Sequence, residues 1–208
     1  MRYLFLCIFL FLGELSVSAQ HMFSRQFPFF NQLSSNEIFS IHQDREGYFW
    51  LGTTNGLARY DGYQLNTFRT DYKNQNLLTD NAVASINDNS LYIWIGTWKG
   101  LNLYDKQTCR ITPFSDPRLL NKVVDAITVD NAENVWISAG GKVYRCDSTA
   151  HVIKEYELGQ PQEGYAISNI YMDQSKQLWA VGSRGIFRYE PETDSFFRYP
   201  PLGNGHTA

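Results

Sequence analysis

Tryptophan recurs in this chain with a near-constant stride. Trp50, Trp94, Trp136 and Trp179 stand 44, 42 and 43 residues apart, and Trp98 falls outside the series. The same residue types return around each of the four. Ile41, Ile86, Ile127 and Ile170 stand nine residues before, or eight in the second unit. Six residues before stand Asp44, Asp88, Asp130 and Asp173, and seven after stand Leu57, Leu101, Val143 and Ile186. Tyr60, Tyr104, Cys146 and Tyr189 follow at ten, then Asp61, Asp105, Asp147 and Glu190 at eleven. A period of this length means one supersecondary unit used repeatedly, each copy unable to bury its apolar surface alone.

The first unit shows what that building block is. Apolar and aromatic runs at Ile38 to His42, Tyr48 to Gly52, Leu57 to Tyr60 and Gln64 to Phe68 are short and strand-like. Asp44-Arg45-Glu46-Gly47, Thr54-Asn55-Gly56 and Asp61-Gly62 separate them, and Asn-Gly and Asp-Gly suit the positive φ of hairpin turns. No helical spacing is sustained after residue 20. Four antiparallel strands in about 43 residues predict the blade of a β-propeller. The expected fold is all-β, with four units at about 23–71, 72–117, 118–160 and 161–201. A blade is covered on both faces, so its strands need not alternate polar and apolar. Trp50 is expected in a seam between blades, and Gly52 and Gly96 where a neighbour comes close. The Gly-Thr after the first two tryptophans drifts to Ser138-Ala139 and Val181-Gly182, as packing positions can and catalytic ones cannot.

The start of the chain has a different character. Met1-Arg2 is basic, Tyr3 to Leu12 is almost wholly apolar, and Ser16-Val17-Ser18-Ala19 offers a cleavage site before Gln20. Residues 1–19 therefore read as a secretory signal peptide, which implies export to the periplasm, and residues 20–208 as the propeller. No later window approaches the roughly 18 apolar residues of a membrane helix. The 18 basic and 21 acidic residues give a net charge of −3 with no basic stripe, which argues against nucleic acid as a partner. Cys109 and Cys146 read as two small buried hydrophobes, with a disulfide as the alternative in an exported protein. The histidines keep no register with the repeat, and no spacing suggests a metal site, a cofactor or a catalytic triad. The four aspartates recur once per blade, too far apart to share an ion, and are expected to cap their own turns.

The stretch LSSNEIFSIHQDREGYFWLGTTNGLARYDG resembles the two-component regulator propeller repeat, and HMFSRQFPFFNQLSSN resembles the lead-in to a first blade. The resemblance extends to about residue 200, closer in the first two units than in the last two. It implies the periplasmic sensor region of a hybrid two-component histidine kinase, with oligosaccharides as the ligand class. The kinase core of such systems is not in this sequence. Relatives commonly carry seven blades, so the resemblance also implies an N-terminal fragment forming an open arc. The apolar face of its last blade would then be exposed, and Met22 to Phe27 would be an outer strand whose partner lies elsewhere.

By analogy of fold, a ligand is expected where second hairpins and inter-blade links gather. The second-hairpin tips are Thr54-Asn55, Trp98-Lys99, Gly140-Gly141 and Ser183-Arg184. Trp98 breaks the repeat, since Thr54, Gly140 and Ser183 stand at its position. Either it covers the edge of the neighbouring blade, or it stacks on a sugar ring with Lys99, Asn55 and Arg184 supplying hydrogen bonds. An exported propeller enzyme of lyase or quinone-dependent dehydrogenase type is the rival reading. It needs histidines and carboxylates converging on the channel. A scaffold for protein partners is a third.

Overall fold

The computed structural model describes residues 29–70, 77–158, 167–183 and 185–199. The leader and Met22 to Phe27 lie outside the described residues. The blades belong to one compact unit that begins at Asn31.

This unit is four antiparallel sheets of four strands, each running in chain order. The first contains β1 (Ile38–Gln43), β2 (Phe49–Thr53), β3 (Gly56–Tyr60) and β4 (Leu65–Phe68). The second contains β5 (Val83–Asp88), β6 (Tyr92–Thr97), β7 (Gly100–Asp105) and β8 (Arg110–Pro113). The third contains β9 (Val124–Val129), β10 (Val135–Ala139), β11 (Lys142–Cys146) and β12 (Val152–Tyr156). The fourth contains β13 (Ile167–Met172), β14 (Leu178–Gly182), β15 (Gly185–Glu190) and β16 (Ser195–Arg198). The innermost strands β1, β5, β9 and β13 lie side by side in that order, so the sheets stand as successive propeller blades. Among the described residues the fourth blade does not pack back on the first, and the arc is open.

Three apolar seams hold the arc together, all built alike. Trp50 and Leu57 pack against Val83, Ile93, Ile95 and Tyr104. Trp94 and Leu101 pack against Val124, Val135, Ile137 and Tyr144. Trp136 and Val143 pack against Ile167, Leu178, Ala180 and Phe187. Each blade thus presents a tryptophan face to the receiving face of the next. The central strands β6 and β10 are covered on both sides, which is why they are apolar without alternation. Burial of one tryptophan removes on the order of 200 Å² from water, about 5 kcal/mol before entropy costs. The seams are tight at the glycines. A β-carbon at Gly52 would lie 2.7 Å from the Val83 carbonyl oxygen, and one at Gly96 would overlap Ser85 Oγ and lie 2.6 Å from Val124 Cγ1. In the third blade Ser138 takes the glycine position and donates its hydroxyl to the Ile167 carbonyl at 2.7 Å.

The repeated aspartate does more than cap a turn. Asp44 Oδ1 accepts the Glu46 and Tyr48 N–H groups, and its Oδ2 accepts Trp50 Nε1–H at 2.6 Å. Asp130 and Asp173 repeat the device, receiving Trp136 and Trp179 Nε1–H at 3.0 and 2.8 Å. The turn thereby satisfies the one polar atom of the seam tryptophan.

The second blade departs from the expected alignment. Asp88 pairs with Ile93 in the register where Gln43 pairs with Phe49, so it is not the counterpart of Asp44. That place belongs to Asn89, whose Oδ1 accepts the Leu91 and Tyr92 N–H groups and whose Nδ2 donates to the Ser148 carbonyl. The hairpin is one residue shorter, and the fully buried Trp94 Nε1 has no hydrogen-bond partner among the described residues.

Asp88 instead points into the first seam. Its carboxylate accepts His42 Nε2 at 2.8 Å and Lys106 Nζ at 2.7 Å. Lys106 also reaches Glu46 at 2.9 Å, and Arg45 of the first blade reaches Glu133 of the third at 2.7 Å. Burial would raise the pKa of Asp88, but the hydrogen bonds from His42 and Lys106 outweigh it and hold the value at about 2. Among the described residues Cys109 and Cys146 are free, Cys146 buried and Cys109 exposed. Cys109 is therefore not the core residue expected. It ends the turn Asp105 to Cys109 with a φ of 56°.

Two outcomes are expected of the seams. The folded pKa of Asp88 lies below the ordinary 3.8, so its stabilisation is complete above about pH 4 and fades as pH falls through about 2. Asp88→Asn is expected to cost about 2 kcal/mol at pH 7. Urea unfolding at several pH values should show that difference closing toward pH 2, and a constant difference would discount the ion pair as its source. Gly96→Ala is expected to destabilise by about 1–3 kcal/mol through overpacking against Val124. Thermal unfolding at wild-type stability would disprove so close a contact.

Candidate functional site

Inter-blade links and second hairpins meet on one side of the arc. Gly56 N–H donates to the Asn81 carbonyl, Trp98 N–H to Ala82 and Gly140 N–H to Val123. Each tip of the first two blades is held by the threonine of its Gly-Thr pair. Thr53 Oγ1 donates to the Gly56 carbonyl at 2.9 Å, and Thr97 Oγ1 to Gly100 at 2.7 Å. The same hydroxyls touch the incoming links, Thr53 at Ser34 Oγ (3.3 Å) and Thr97 at Thr79 Oγ1 (3.0 Å). Positive φ at Gly56 and Gly100, 121° and 131°, completes both turns.

Each innermost strand carries a β-bulge at its start. The register slips between Ile38 and Ser40, Val83 and Ser85, Val124 and Ala126, and Ile167 and Asn169. The extra residues are Phe39, Ala84, Asp125 and Ser168. Bulges re-aim a side chain out of the ladder, and at Phe39 the result is visible. Its ring stacks on Trp98 of the second blade, with centroids 6.0 Å apart and planes 20° from parallel. Both rings keep about half their surface in water, 46% for Phe39 and 52% for Trp98. Two half-exposed stacked aromatics at the junction of two blades form the most distinctive surface on this side.

The residues expected at this site fare differently. Lys99 stands beside Trp98, exposed, with Nζ 3.3 Å from Asp80 Oδ2. An exposed pair of this kind adds little stability and is free to exchange partners. Asn55 is engaged with its own link, donating Nδ2 to the Ser34 carbonyl at 3.1 Å, while Arg69 Nε donates to its carbonyl. Among the described residues no hydrogen bond joins Asn55 to Trp98. Arg184 lies outside the described residues. Trp98 covers the blade edge through Phe39 and still offers an open face, so the two readings of it are compatible.

Phe39 and Asp125 escaped the sequence reading. Asp125 is half-buried on the third innermost strand, and burial pushes its carboxyl above the usual range, with its own backbone N–H the opposing influence. The bulge was not legible because IFSIHQ reads as an unbroken strand. A signal did exist. The position two before the repeated isoleucine holds Phe39, Ala84, Asp125 and Ser168, a column that varies between the persistent apolar columns Ile38, Val83, Val124, Ile167 and Ile41, Ile86, Ile127, Ile170. Among the described residues, no group of three or more His, Cys, Asp or Glu side chains is placed to hold a metal ion.

Residues 32–55 match the family model described as the two component regulator propeller. That span runs through the first two strands of the first blade into its second hairpin, Ser34 and Thr53 included. No curated protein sequence matches the chain. Among solved structures, the chain is similar to the extracellular domain of a protein of B. thetaiotaomicron named as a one component system. The TM-score is 0.60 at 21% identity, over 82% of this chain and 22% of that one. A selenomethionine-substituted virginiamycin B lyase from Staphylococcus aureus superposes with TM-score 0.61 at 16% identity, over 81% of this chain and 57% of the lyase. The dihydro-heme d1 dehydrogenase NirN gives 0.57 at 13%, over 80% of this chain and 37% of that one. The chain spans less than two thirds of each of these proteins. At such identities the similarity establishes the β-propeller fold.

Proposed function

We propose that this chain, a β-propeller carrying a two-component regulator propeller repeat, is the ligand-binding module of an exported sensor. Its signal passes to a kinase region that the sequence given does not encode. The leader-like residues 1–19 and the repeat match support periplasmic placement. The observation that carries the binding role is the Phe39–Trp98 pair. A sugar ring has apolar C–H faces that stack on aromatic rings, and hydroxyls that need polar neighbours. Trp98 supplies the first, and Lys99 with Asp80 the second, at 3.3 Å from each other. The ligand class is therefore an oligosaccharide. Phe39 belongs to the first blade and Trp98 to the second, so a ligand seated on both would bias how adjacent blades pack. Such a bias is what a sensor needs to transmit.

The bulge column favours binding over catalysis. Of Phe39, Ala84, Asp125 and Ser168 only Asp125 carries an acid–base group, and chemistry of the lyase kind calls for a pair of such groups.

Calorimetric titration of the purified protein with a panel of glycan oligosaccharides tests the reading. Wild type is expected to bind at least one of them, and Trp98→Ala to bind it about tenfold or more weaker. Thermal unfolding of Trp98→Ala should remain near wild type, because the side chain is half exposed. Equal affinity in the two proteins would remove Trp98 from the site, and no binding across the panel would set aside the carbohydrate reading.

A further inference from the structure

The bulges of the innermost strands fix where the side chain at each bulge can go. In a regular strand, residues two apart share a face. Across these bulges they do not. Val83 lies in the first seam with Trp50, whereas Ser85 donates Oγ–H to the Val124 carbonyl of the third blade. Val124 lies in the second seam with Trp94, whereas Ala126 lies in the third with Ile167. The residue between, Ala84 or Asp125, is therefore aimed at neither seam. It is left with the free edge of its strand, since β5 and β9 each pair within their sheet on one side only. The innermost strands stand side by side, so these free edges face the axis of the arc. Phe39, Ala84 and Asp125 thus form a row from the first blade to the third, on the side where the second hairpins gather.

Ala84 leaves the middle of that row open, because its side chain is a single methyl group. Beyond it, Asp125 is a half-buried carboxylate whose one hydrogen-bond donor among the described residues is its own backbone N–H. Burial without a partner disfavours a carboxylate. The lysines of the adjoining links and hairpins do not relieve it. Lys99 lies 3.3 Å from Asp80, Lys122 donates to Tyr144 Oη at 2.8 Å, and Lys142 is paired with Glu155 and Glu157. The row therefore runs from an aromatic platform to an acceptor with lone pairs to spare, and the three lysines near it are all engaged.

We infer that Asp125 is a specificity-determining residue of the binding site that begins at Trp98, its carboxylate accepting hydroxyl hydrogens from a neutral oligosaccharide and turning away uronate-bearing ones. The inference rests on the carbohydrate reading proposed above. An ionised carboxylate is an acceptor only, and its two oxygens suit adjacent hydroxyls of one sugar ring. The same charge repels a ligand carboxylate, and no free lysine offsets it. Trp98 belongs to the second blade and Asp125 to the third, and stacked sheets stand about 10 Å apart. At that spacing the two contacts suit successive rings of a chain rather than a single sugar.

Calorimetric titration with neutral xylo-, manno- and malto-oligosaccharides, and with oligogalacturonides, tests this. Wild type is expected to bind a neutral oligosaccharide, and to bind oligogalacturonides about tenfold or more weaker. Asp125→Ala should weaken the neutral ligand about tenfold or more, with a Tm equal to or above that of wild type, because no described partner is lost. A structural aspartate would lower the Tm instead. Asp125→Asn removes the charge and keeps an acceptor, so it should narrow the gap between the two panels. The inference is overturned if Asp125→Ala binds the neutral ligand as wild type does while Trp98→Ala weakens it, a result that leaves the carbohydrate reading standing. It is equally overturned if Asp125→Ala loses stability along with affinity, or if wild type prefers oligogalacturonides. No binding of either panel by wild type sets aside the inference and the carbohydrate reading together.

Discussion

The burial of one blade's tryptophan in the receiving face of the next is the interaction on which the rest of this structure depends. A four-stranded sheet of some 43 residues has two apolar faces and no core of its own. Trp50, Trp94 and Trp136 are almost wholly removed from water only because a second sheet lies across each. The other repeated features serve that contact. The glycines of the first two blades let the next innermost strand approach, and the turn aspartate satisfies the indole N–H that burial would otherwise orphan. The threonine clamp fixes the hairpin that ends the tryptophan strand.

Departures from the repeat carry more information than the repeat. The shortened hairpin of the second blade moves Asn89 into the cap and leaves Trp94 Nε1 without a partner among the described residues. The same slip frees Asp88 to bind His42 and Lys106, so the second seam lost a hydrogen bond to its tryptophan and the first gained a hydrogen-bonded tie between two blades. Ser138 fills a glycine position with a hydroxyl that donates to the Ile167 carbonyl of the next innermost strand, and in the second seam Ser85 beside Gly96 donates to the Val124 carbonyl instead. Cys146 interrupts a tyrosine column and lies buried in the same apolar cluster as Leu103 of the second blade. On the rim Trp98 leaves the repeat and finds Phe39, itself displaced from the ladder by a bulge.

The fold was largely legible because its constraint is periodic. A residue needed in every blade recurs at a fixed distance, and Trp50, Gly52, Leu57 and Tyr60 recur in this way whatever the loops between them do. The site was legible only in part. Trp98 could be singled out as an exception in a regular column, but its partner could not, because Phe39 is 59 residues away and its orientation comes from a backbone irregularity. The shift of Asp88 was hidden for a related reason. Counting back from Trp94 gives the right residue type at the right distance, yet hydrogen-bond register, not sequence distance, decides which side of a sheet a side chain occupies.

The sequence by itself determined that this chain forms β-propeller blades, how many the repeat supports, and which residues pack between them. Those properties come from apolar periodicity and turn chemistry, which are local along the chain. The tertiary structure decided which aromatics meet at the rim, which carboxylate enters a seam and how far the tryptophan face of the fourth blade is exposed. These depend on residues brought together from different blades, where one-residue changes in hairpin length and single bulges reassign the direction of a side chain.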